Sequence, residues 1–289
     1  MNNLQLGLPE PYALGFNIAR SREQVSRRNT LFKHVHIGSI PPTPNEMMHN
    51  NDDTPHAHVE LLRHARLLGN PISYVQEQNG ALIQNIVPIK KTESQQISSS
   101  SKVELGLHTE TAFHQYKPSF VLLLCLRGDT TAVTTYAYVD DIVQHLSDPV
   151  LSTLTRMWFT TGIDDSFRAN GEPDVRLPCS ILREEPGSGV VPKYVMTYDA
   201  ALMEPTNDQA CDALERLNEA IALCTQEITL ETGDLLVINN ETTIHGRRPF
   251  NAKYDGTDRW VQRVLVAKDL PPKAQYITHS GHIITTRFN

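Results

Sequence analysis

The chain has 289 residues, of which 39% are hydrophobic and 20% are charged, and its formal net charge is −7 at pH 7. This length allows a sizeable core, and the acidic balance argues against a general nucleic-acid binder or a basic protein of the membrane surface. We find no secretory signal, no apolar stretch of membrane-spanning length and no Cys-x-x-Cys spacing. We therefore expect a cytoplasmic protein with reduced cysteines.

Residues 1–70 are interpreted as a covering layer, because they contain a stretch rich in proline and asparagine and only one clear helix. Thr54 is the expected N-cap of that helix, Pro55 its first residue, and Gly69 its stop signal. Residues 71–270 are expected to form the core of a single domain that spans the chain.

The early part of this core contains a turn signal and a polar segment. Asn79-Gly80 separates two β-like stretches, residues 72–76 and 81–88, and predicts a hairpin. Residues 90–104 contain a run of serines and predict a mobile loop. A second polar loop covers residues 162–174. Both loops are candidate lids over a site, and exposed surface loops are the alternative.

His108 and Glu110 are separated by one residue, in a segment that precedes an apolar run over residues 120–126. In an extended chain, residues i and i+2 point to the same side, so this imidazole and this carboxylate would converge. The pair provides two of the three ligands of a facial non-haem Fe(II) site, which needs one further histidine. The apolar run behind it predicts a buried strand.

The second half of the chain alternates short strands with turns. Strands are predicted over residues 193–197, 228–230, 234–239 and 258–267. Thr206-x-x-Gln209 predicts a capping box at the start of a helix. Mostly short strands with a few peripheral helices indicate a mainly β protein built as a sandwich or barrel.

The stretch GDLLVINNETTIHGRRPF places His245 just after a strand and its turn, where it supplies the missing third ligand. Arg259 and Arg263 follow on another predicted strand and share one of its faces, because they are an even number of residues apart. A buried guanidinium needs an anionic partner, and arginine offers two parallel donors to a carboxylate. A surface salt bridge is the alternative reading of these arginines.

Together these motifs resemble a known family. HTETAFH, the pattern P-x-F-V-x-L-x-C-x-R-x-D at residues 118–129, G-D-L-L-V-I-x-N and D-G-x-D-R-W are similar to the Fe(II)/2-oxoglutarate-dependent dioxygenases of the clavaminate synthase-like, TauD-type family. That group includes hydroxylases of free arginine, lysine and asparagine. The resemblance covers residues 70–267.

The resemblance implies a double-stranded β-helix, or jelly roll, in which His108, Glu110 and His245 hold Fe(II). It implies that Arg259 binds the distal carboxylate of 2-oxoglutarate with the hydroxyl of Thr134 beside it, although Thr135 and Thr131 remain open for that role.

For the substrate, the resemblance assigns the α-carboxylate to Arg263 and a position near the amine to Gln84. A buried amide that satisfies the backbone is the other reading of Gln84. Asp165, next to Asp164, and Asp199 match positions of acidic contacts to the substrate side chain. Acidic residues would suit a cationic side chain, whereas solvated loop carboxylates are the alternative.

The implied reaction uses O2 and 2-oxoglutarate to hydroxylate an unactivated C–H bond of a small molecule, and it releases succinate and CO2. The expected substrate is a free basic L-amino acid such as lysine or arginine. The alternatives are a carrier-tethered or peptide-tethered amino acid, another small metabolite, and desaturation or cyclisation in place of hydroxylation. A further alternative of another class is a non-catalytic jelly roll that binds a metal or a small acid.

Overall fold

The computed structural model describes residues 27–47, 53–164, 167–168, 175–186, 193–278 and 281–286. Much of the expected covering layer and Asp165 therefore lie outside the described residues. In the described part, no helix is both long and apolar enough to cross a membrane. The cytoplasmic location and the single-domain division stay predictions.

The described chain is mainly β with a few helices. Its α-helices are α1 (Pro55–Leu68), α2 (Val139–Ile142), α3 (Asp148–Leu154) and α4 (Asp208–Cys224). Its strands are β1 (Thr30–Phe32), β2 (Asn70–Tyr74), β3 (Gln84–Ile86), β4 (Leu105–His108), β5 (Phe120–Arg127), β6 (Val133–Tyr138), β7 (Phe159–Thr161), β8 (Leu177–Cys179), β9 (Leu182–Glu184), β10 (Tyr194–Met196), β11 (Met203–Pro205), β12 (Gln226–Thr229), β13 (Leu235–Asn239), β14 (Thr243–Arg247), β15 (Trp260–Ala267), β16 (Tyr276–Thr278) and β17 (His282–Ile284).

An eight-stranded sheet has the order β1-β13-β5-β15-β2-β17-β16, and β3 also pairs with β15. Its central strand β5 is the predicted apolar run, and it is buried on both faces. Phe120, Leu122 and Leu124 pack in one core cluster with Leu61 of α1, which covers the outer face of the sheet. The alternate residues of β5, such as Leu123, belong to a different cluster on the inner face. A continuous apolar run is what a strand buried on both faces requires.

A four-stranded antiparallel sheet has the order β12-β6-β14-β4. Helix α4 packs on its outer face, where Leu217 and Ile221 share a core cluster with Ala137 of β6 and Ile244 of β14. Strands β7, β8 and β11 form a separate three-stranded sheet, and β9 pairs with β10. The two larger sheets thus each have one helix-covered face, and their other faces line a common pocket.

The predicted helix α1 is confirmed, with Thr54 at its N-cap position. The Thr54 side chain makes no capping hydrogen bond, and its hydroxyl oxygen accepts instead from Nε2 of Gln262 at 3.0 Å. Gly69 ends the helix. A Cβ at Gly69 would lie 2.5 Å from the carbonyl oxygen of Ala267, so glycine permits the close approach of the chain to β15.

The capping box predicted at Thr206 is wrong. Helix α4 begins at Asp208, and the side chain of Asn207 caps it by accepting from the backbone N–H of Ala210 at 2.9 Å. The Thr206 hydroxyl donates to the carbonyl of Trp158 at 2.8 Å. Both residue types are good caps, and the tertiary contact of Thr206 decides between them.

The hairpin predicted at Asn79-Gly80 is also wrong. Strands β2 and β3 do not pair with each other, and each pairs with a different part of β15. The turn residues form a short 3-10 helix, in which Asn79 has a left-handed φ of 54°. Asn79-Gly80 does form a turn, but both flanking strands pair with β15 and not with each other.

The mobile loop expected over residues 90–104 stays a prediction, but its serines are less exposed than the composition predicts. Ser99, Ser100 and Ser101 are all buried. Their hydroxyls are paired, for example Ser100 Oγ with Nη2 of Arg247 at 2.9 Å and Ser101 Oγ with the Tyr254 hydroxyl at 2.9 Å. Serine can be buried once its hydroxyl is satisfied, which composition alone does not reveal.

We expect Leu122→Ala to lower the free energy of unfolding by about 2–5 kcal/mol, because it removes a fully buried side chain and leaves a cavity. Leu223→Ala is the control, since Leu223 of α4 is 74% exposed and its loss should change stability by no more than about 0.5 kcal/mol. Urea denaturation measures both values. Equal effects of the two substitutions would contradict the assigned core.

Candidate active site

His108 and His245 are brought together by strand pairing. They are directly opposite each other on the antiparallel strands β4 and β14, and their ring centroids are 4.6 Å apart. Nδ1 of His108 lies 2.8 Å from the carbonyl oxygen of Gly106. Because a carbonyl only accepts, Nδ1 carries the proton, and the lone pair of Nε2 is free for a metal.

Glu110 completes the group, although it lies beyond the end of β4. Its Oε2 is 3.8 Å from Nε2 of His245, and one ligand atom from each of His108, Glu110 and His245 lies within 4.8 Å of the others. The predicted convergence is confirmed. The two side chains do not converge through strand alternation, as the sequence predicts, because β4 ends at His108 and Glu110 lies outside the strand.

The charges around this group favour metal ligation. Burial opposes the ionisation of Glu110, but the Arg263 guanidinium and the two histidines outweigh it and hold the pKa of Glu110 well below its usual range. Burial lowers the pKa of His245, which favours the neutral imidazole. A carboxylate and two imidazoles form a donor set that suits a divalent transition metal. In the described ranges this is the only such group of three.

A pocket between the two larger sheets extends from these residues. It is lined by Ile86, Ser98, Leu105, His108, Glu110, Leu123, Thr134, His245, Gly246, Arg247, Arg259 and Arg263. Both Leu105 and His108 reach it despite their odd spacing, because β4 has an irregularity opposite β14.

Arg259 and Thr134 line the pocket together. Arg259 is only 7% exposed, and burial lowers the pKa of its guanidinium. Among the described residues, no side chain or carbonyl makes a hydrogen bond or a close ion pair with Arg259, and Asp129 acts on it only as a more distant negative charge. A buried guanidinium in this state is a binding site for an anion.

Of the alternatives to Thr134, neither lines the pocket in the described chain. Thr131 is exposed, and its hydroxyl donates to Asp129 at 2.7 Å. The hydroxyl of Thr135 is buried and has no hydrogen-bond partner among the described residues. This hydroxyl lies against Gly246 of the neighbouring strand β14, where an added Cβ would be 3.0 Å from it.

Arg263 lies on β15 opposite Gln84 of β3. Its Nη1 donates to Oε1 of Glu110 at 2.6 Å, its Nε donates to Oε1 of Gln84 at 2.8 Å, and its Nη2 donates to Oε1 of Glu77 at 3.2 Å. Burial raises the pKa of Glu77 against the opposing effect of Arg263. The sequence gives no signal for Glu77, because a glutamate beside a turn signal is ordinarily exposed.

Asp199 lies next to the metal-ligand group, where it forms an isolated β-bridge with His108. Its Oδ1 accepts from the backbone N–H of Ala201 at 2.8 Å and of Leu202 at 3.0 Å. Burial raises the pKa of the nearby Asp164 to about 7, and the negative charge of Asp199 adds to this effect. Asp165 lies outside the described residues.

Arg247 is a third buried arginine of the pocket, two residues after His245. Burial lowers the pKa of Arg247 to about 10, and Arg259 contributes to the shift. Arg247 donates to Ser100 Oγ and to the backbone carbonyl of Arg248. The polar segment 90–104 is thereby connected to the pocket wall. Arg248 itself is exposed and pairs with Glu104 and Glu227.

Comparison with known proteins identifies the family. The profile of the family described as taurine catabolism dioxygenase TauD, TfdA family, matches residues 47–265. The chain belongs to this family.

Individual relatives agree with this result. The L-asparagine oxygenase of Streptomyces coelicolor is 35% identical over 248 residues, which cover 85% of this chain and 72% of that protein. The L-lysine 3-hydroxylase of Catenulispora acidiphila is 31% identical over 258 residues, which cover 88% and 70% of the two chains. Among solved structures, asparagine oxygenase in complex with Fe(II), 2S,3S-3-hydroxyasparagine and succinate matches with a TM-score of 0.82 and 31% identity, over 92% of this chain and 82% of that one. The resemblance inferred from the motifs is confirmed, and the protein is an enzyme of the dioxygenase class.

His245→Ala should lower the affinity for Co(II) by more than about 100-fold, because loss of a supporting group around a metal site already costs 10–100-fold. Isothermal titration calorimetry measures the affinity. His64→Ala is the matched control, since His64 is also buried but lies on α1 with its ring bonded to the Glu60 carbonyl. Co(II) binding that survives His245→Ala unchanged would exclude this metal site.

Proposed function

We propose that the protein is an Fe(II)- and 2-oxoglutarate-dependent oxygenase that hydroxylates an unactivated C–H bond of a free L-amino acid. The observation that carries this proposal is that two buried arginines and the metal-ligand group lie in one pocket. An acceptor-free arginine, Arg259, and the paired arginine Arg263 line the same pocket as the metal-ligand group. Such a pocket offers one anion site for a co-substrate and another for the acid group of a substrate.

The proposed fold of the site is a double-stranded β-helix. Two sheets, one of eight strands and one of four, contribute to the pocket, and nearly all of their pairings are antiparallel. This arrangement supports the jelly roll that the motif resemblance implies. It also explains why ligands from β4 and β14 face arginines from the β15 segment.

His108, Glu110 and His245 would hold the iron through two imidazoles and one carboxylate. Bound iron supplies the activation of O2 that couples the decarboxylation of 2-oxoglutarate, giving succinate and CO2, to hydroxylation of the substrate. The protein residues hold the ligands in place and exclude bulk water, since all three ligands are at least half buried.

Arg259 binds the distal carboxylate of 2-oxoglutarate, and the hydroxyl of Thr134 lies beside it. The absence of a described protein acceptor at Arg259 supports this role, because a dicarboxylate would supply the missing negative charge. Thr134 is 3% exposed and lines the same pocket. Arg247 adds a second positive charge at this part of the pocket, which strengthens the attraction for an anion.

Arg263 binds the α-carboxylate of the substrate, with Gln84 and Glu77 near the α-ammonium group. Arg263 Nη1 donates to Oε1 of Glu110, and Nε and Nη2 bind Gln84 and Glu77. The second N–H of Nη1 would donate to the substrate carboxylate. Glu77 is 3.2 Å from the same guanidinium. A cation and an anion side by side complement the two charges of a free amino acid.

The substrate side chain is expected to be basic, as in lysine or arginine. Asp164 and Asp199 lie near His108 and carry negative charge when ionised. Two carboxylates without a described cation between them favour a guanidinium or an ammonium group. L-asparagine is the second candidate, because a relative that is 35% identical is an L-asparagine oxygenase.

Succinate formation across a panel of free L-amino acids tests the proposal. With Fe(II), ascorbate and 2-oxoglutarate, we expect lysine or arginine to stimulate succinate release, and we expect His108→Ala to abolish it. Stimulation by asparagine alone would keep the reaction and replace the substrate. Succinate without stimulation by any amino acid would exclude a free amino acid as substrate, and no succinate at all would favour a non-catalytic binding protein.

The α-amide of the stimulating amino acid serves as a control for recognition of the acid group. It lacks the negative charge that Arg263 is proposed to bind, so it should not stimulate turnover. If the amide is as effective as the free acid, a carrier-tethered or peptide-tethered substrate becomes the better hypothesis.

Arg259→Ala should raise the KM for 2-oxoglutarate by roughly 30-fold or more, because loss of a buried charge partner costs about 2 kcal/mol or more. The control is Arg248→Ala, which removes an exposed arginine bonded to surface carboxylates and should leave that KM unchanged. Initial rates of succinate release at varied 2-oxoglutarate give both values. A KM that responds equally to the two substitutions would contradict the role of Arg259.

A further inference from the structure

The side chain of Asn240 holds the backbone of Glu110 from both sides. Asn240 Oδ1 accepts from the Glu110 N–H at 2.7 Å, and Asn240 Nδ2 donates to the Glu110 carbonyl at 3.2 Å. The same Nδ2 donates to the Pro118 carbonyl at 2.8 Å. Asn240 is 2% exposed, so its amide has no solvent to bind instead. Two of these three bonds involve the peptide groups of a single metal-ligand residue, Glu110.

Glu110 depends on such contacts because the sheet does not hold it. The two histidine ligands lie in paired strands, but β4 ends at His108. The next residue after Glu110, Thr111, has a left-handed φ of 50°. That conformation is unfavourable for a β-branched residue, and it persists only where neighbouring contacts enforce it.

Contacts on either side of Glu110 fix this turn. Thr109 is bound to the backbone of Tyr198, with its N–H 2.7 Å from the Tyr198 carbonyl. The Thr111 hydroxyl lies 3.3 Å from the Tyr74 hydroxyl. Between these two anchors, Asn240 is the residue that contacts both the N–H and the carbonyl of Glu110.

Asn240 also connects Glu110 to the third ligand. It follows β13 directly and begins the turn into β14, which carries His245. Its own N–H donates to the carbonyl of Ser119 at 2.9 Å, which fixes the start of that turn to the segment before β5. The turn between β13 and β14 therefore determines both where His245 lies and where the Glu110 backbone lies.

We propose that Asn240 is a positioning residue of the metal centre, which sets the direction of the Glu110 carboxylate by clamping the Glu110 peptide groups. Only an amide can do this. Alanine makes none of the bonds, and aspartate would place a carboxylate oxygen against the carbonyls of Glu110 and Pro118. The proposal concerns the metal site and does not depend on which amino acid is the substrate.

Co(II) affinity of the full chain, measured by isothermal titration calorimetry, tests this role without turnover. We expect Asn240→Ala and the nearly isosteric Asn240→Asp each to lower the affinity by about 10–100-fold, as for other groups that orient metal ligands. Asn85→Ala is the matched control. Asn85 is also 2% exposed and bonded, through Oδ1 to Trp260 Nε1 at 2.8 Å, but it lies away from Glu110. Its loss should leave the Co(II) affinity within about 2-fold of wild type.

A second background separates positioning from a general structural role. If Asn240 acts through Glu110, Asn240→Ala should produce no further loss of Co(II) affinity in a Glu110→Ala protein. An equal loss in both backgrounds would overturn the proposal. Asn240 variants that keep the wild-type Co(II) affinity would also overturn it. The same holds if Asn240→Ala and Asn85→Ala lose Co(II) affinity in the same proportion to their loss of thermal stability. If Asn240→Ala does not fold, Asn240→Asp carries the same comparison.

Discussion

The antiparallel pairing of β4 with β14 is the constraint on which the rest of the site depends. It places His108 and His245 opposite each other, although the two residues are far apart in the chain. Everything else is arranged around this pair. Glu110 is clamped from the β13–β14 turn, and the arginines of the β15 segment face the pair across the pocket. The metal site is thus a product of the sheet architecture, and the outer helices α1 and α4 serve that architecture by covering the two sheets.

The pocket contains buried charges in two different states. Arg263 is paired with Glu110 and Glu77, and these carboxylates raise the pKa of its guanidinium despite burial. Arg259 is buried without such a described partner, and burial lowers its pKa. An unpaired buried charge costs stability. A ligand with a carboxylate group would recover that cost on binding, so the same feature that weakens the free protein favours an anionic co-substrate.

Most of the β core and the ligand group were predictable from the sequence because their signals are local or distinctive. The apolar run of β5 and the group formed by the His-x-Glu pair with a distal histidine are both found in the structure. Arg259 and Arg263 line one pocket, although Arg259 precedes β15 and the strand is irregular after Trp260. The errors have a common cause in long-range contacts. Strand β15 separates β2 from β3, and Trp158 binds the hydroxyl of Thr206, which leaves Asn207 as the cap of α4.

The groups that the sequence did not reveal are those whose importance comes from distant partners. Glu77 follows a strand near a turn signal, and only the fold brings it to Arg263. Asn240 lies in a polar stretch before His245, and its contact with Glu110 joins residues 130 positions apart. The serines of residues 90–104 have the composition of a surface segment, but in the fold Arg247 binds Ser100 and Tyr254 binds Ser101.

The central claim is that the pocket uses O2 to oxidise a free amino acid together with 2-oxoglutarate. The most direct measurement is turnover under 18O2, with mass spectrometry of both products after the stimulating amino acid is known. Our account predicts one oxygen atom from O2 in the hydroxylated amino acid and one in succinate. An amino-acid product whose new oxygen comes from water, or succinate that forms without label, would contradict it.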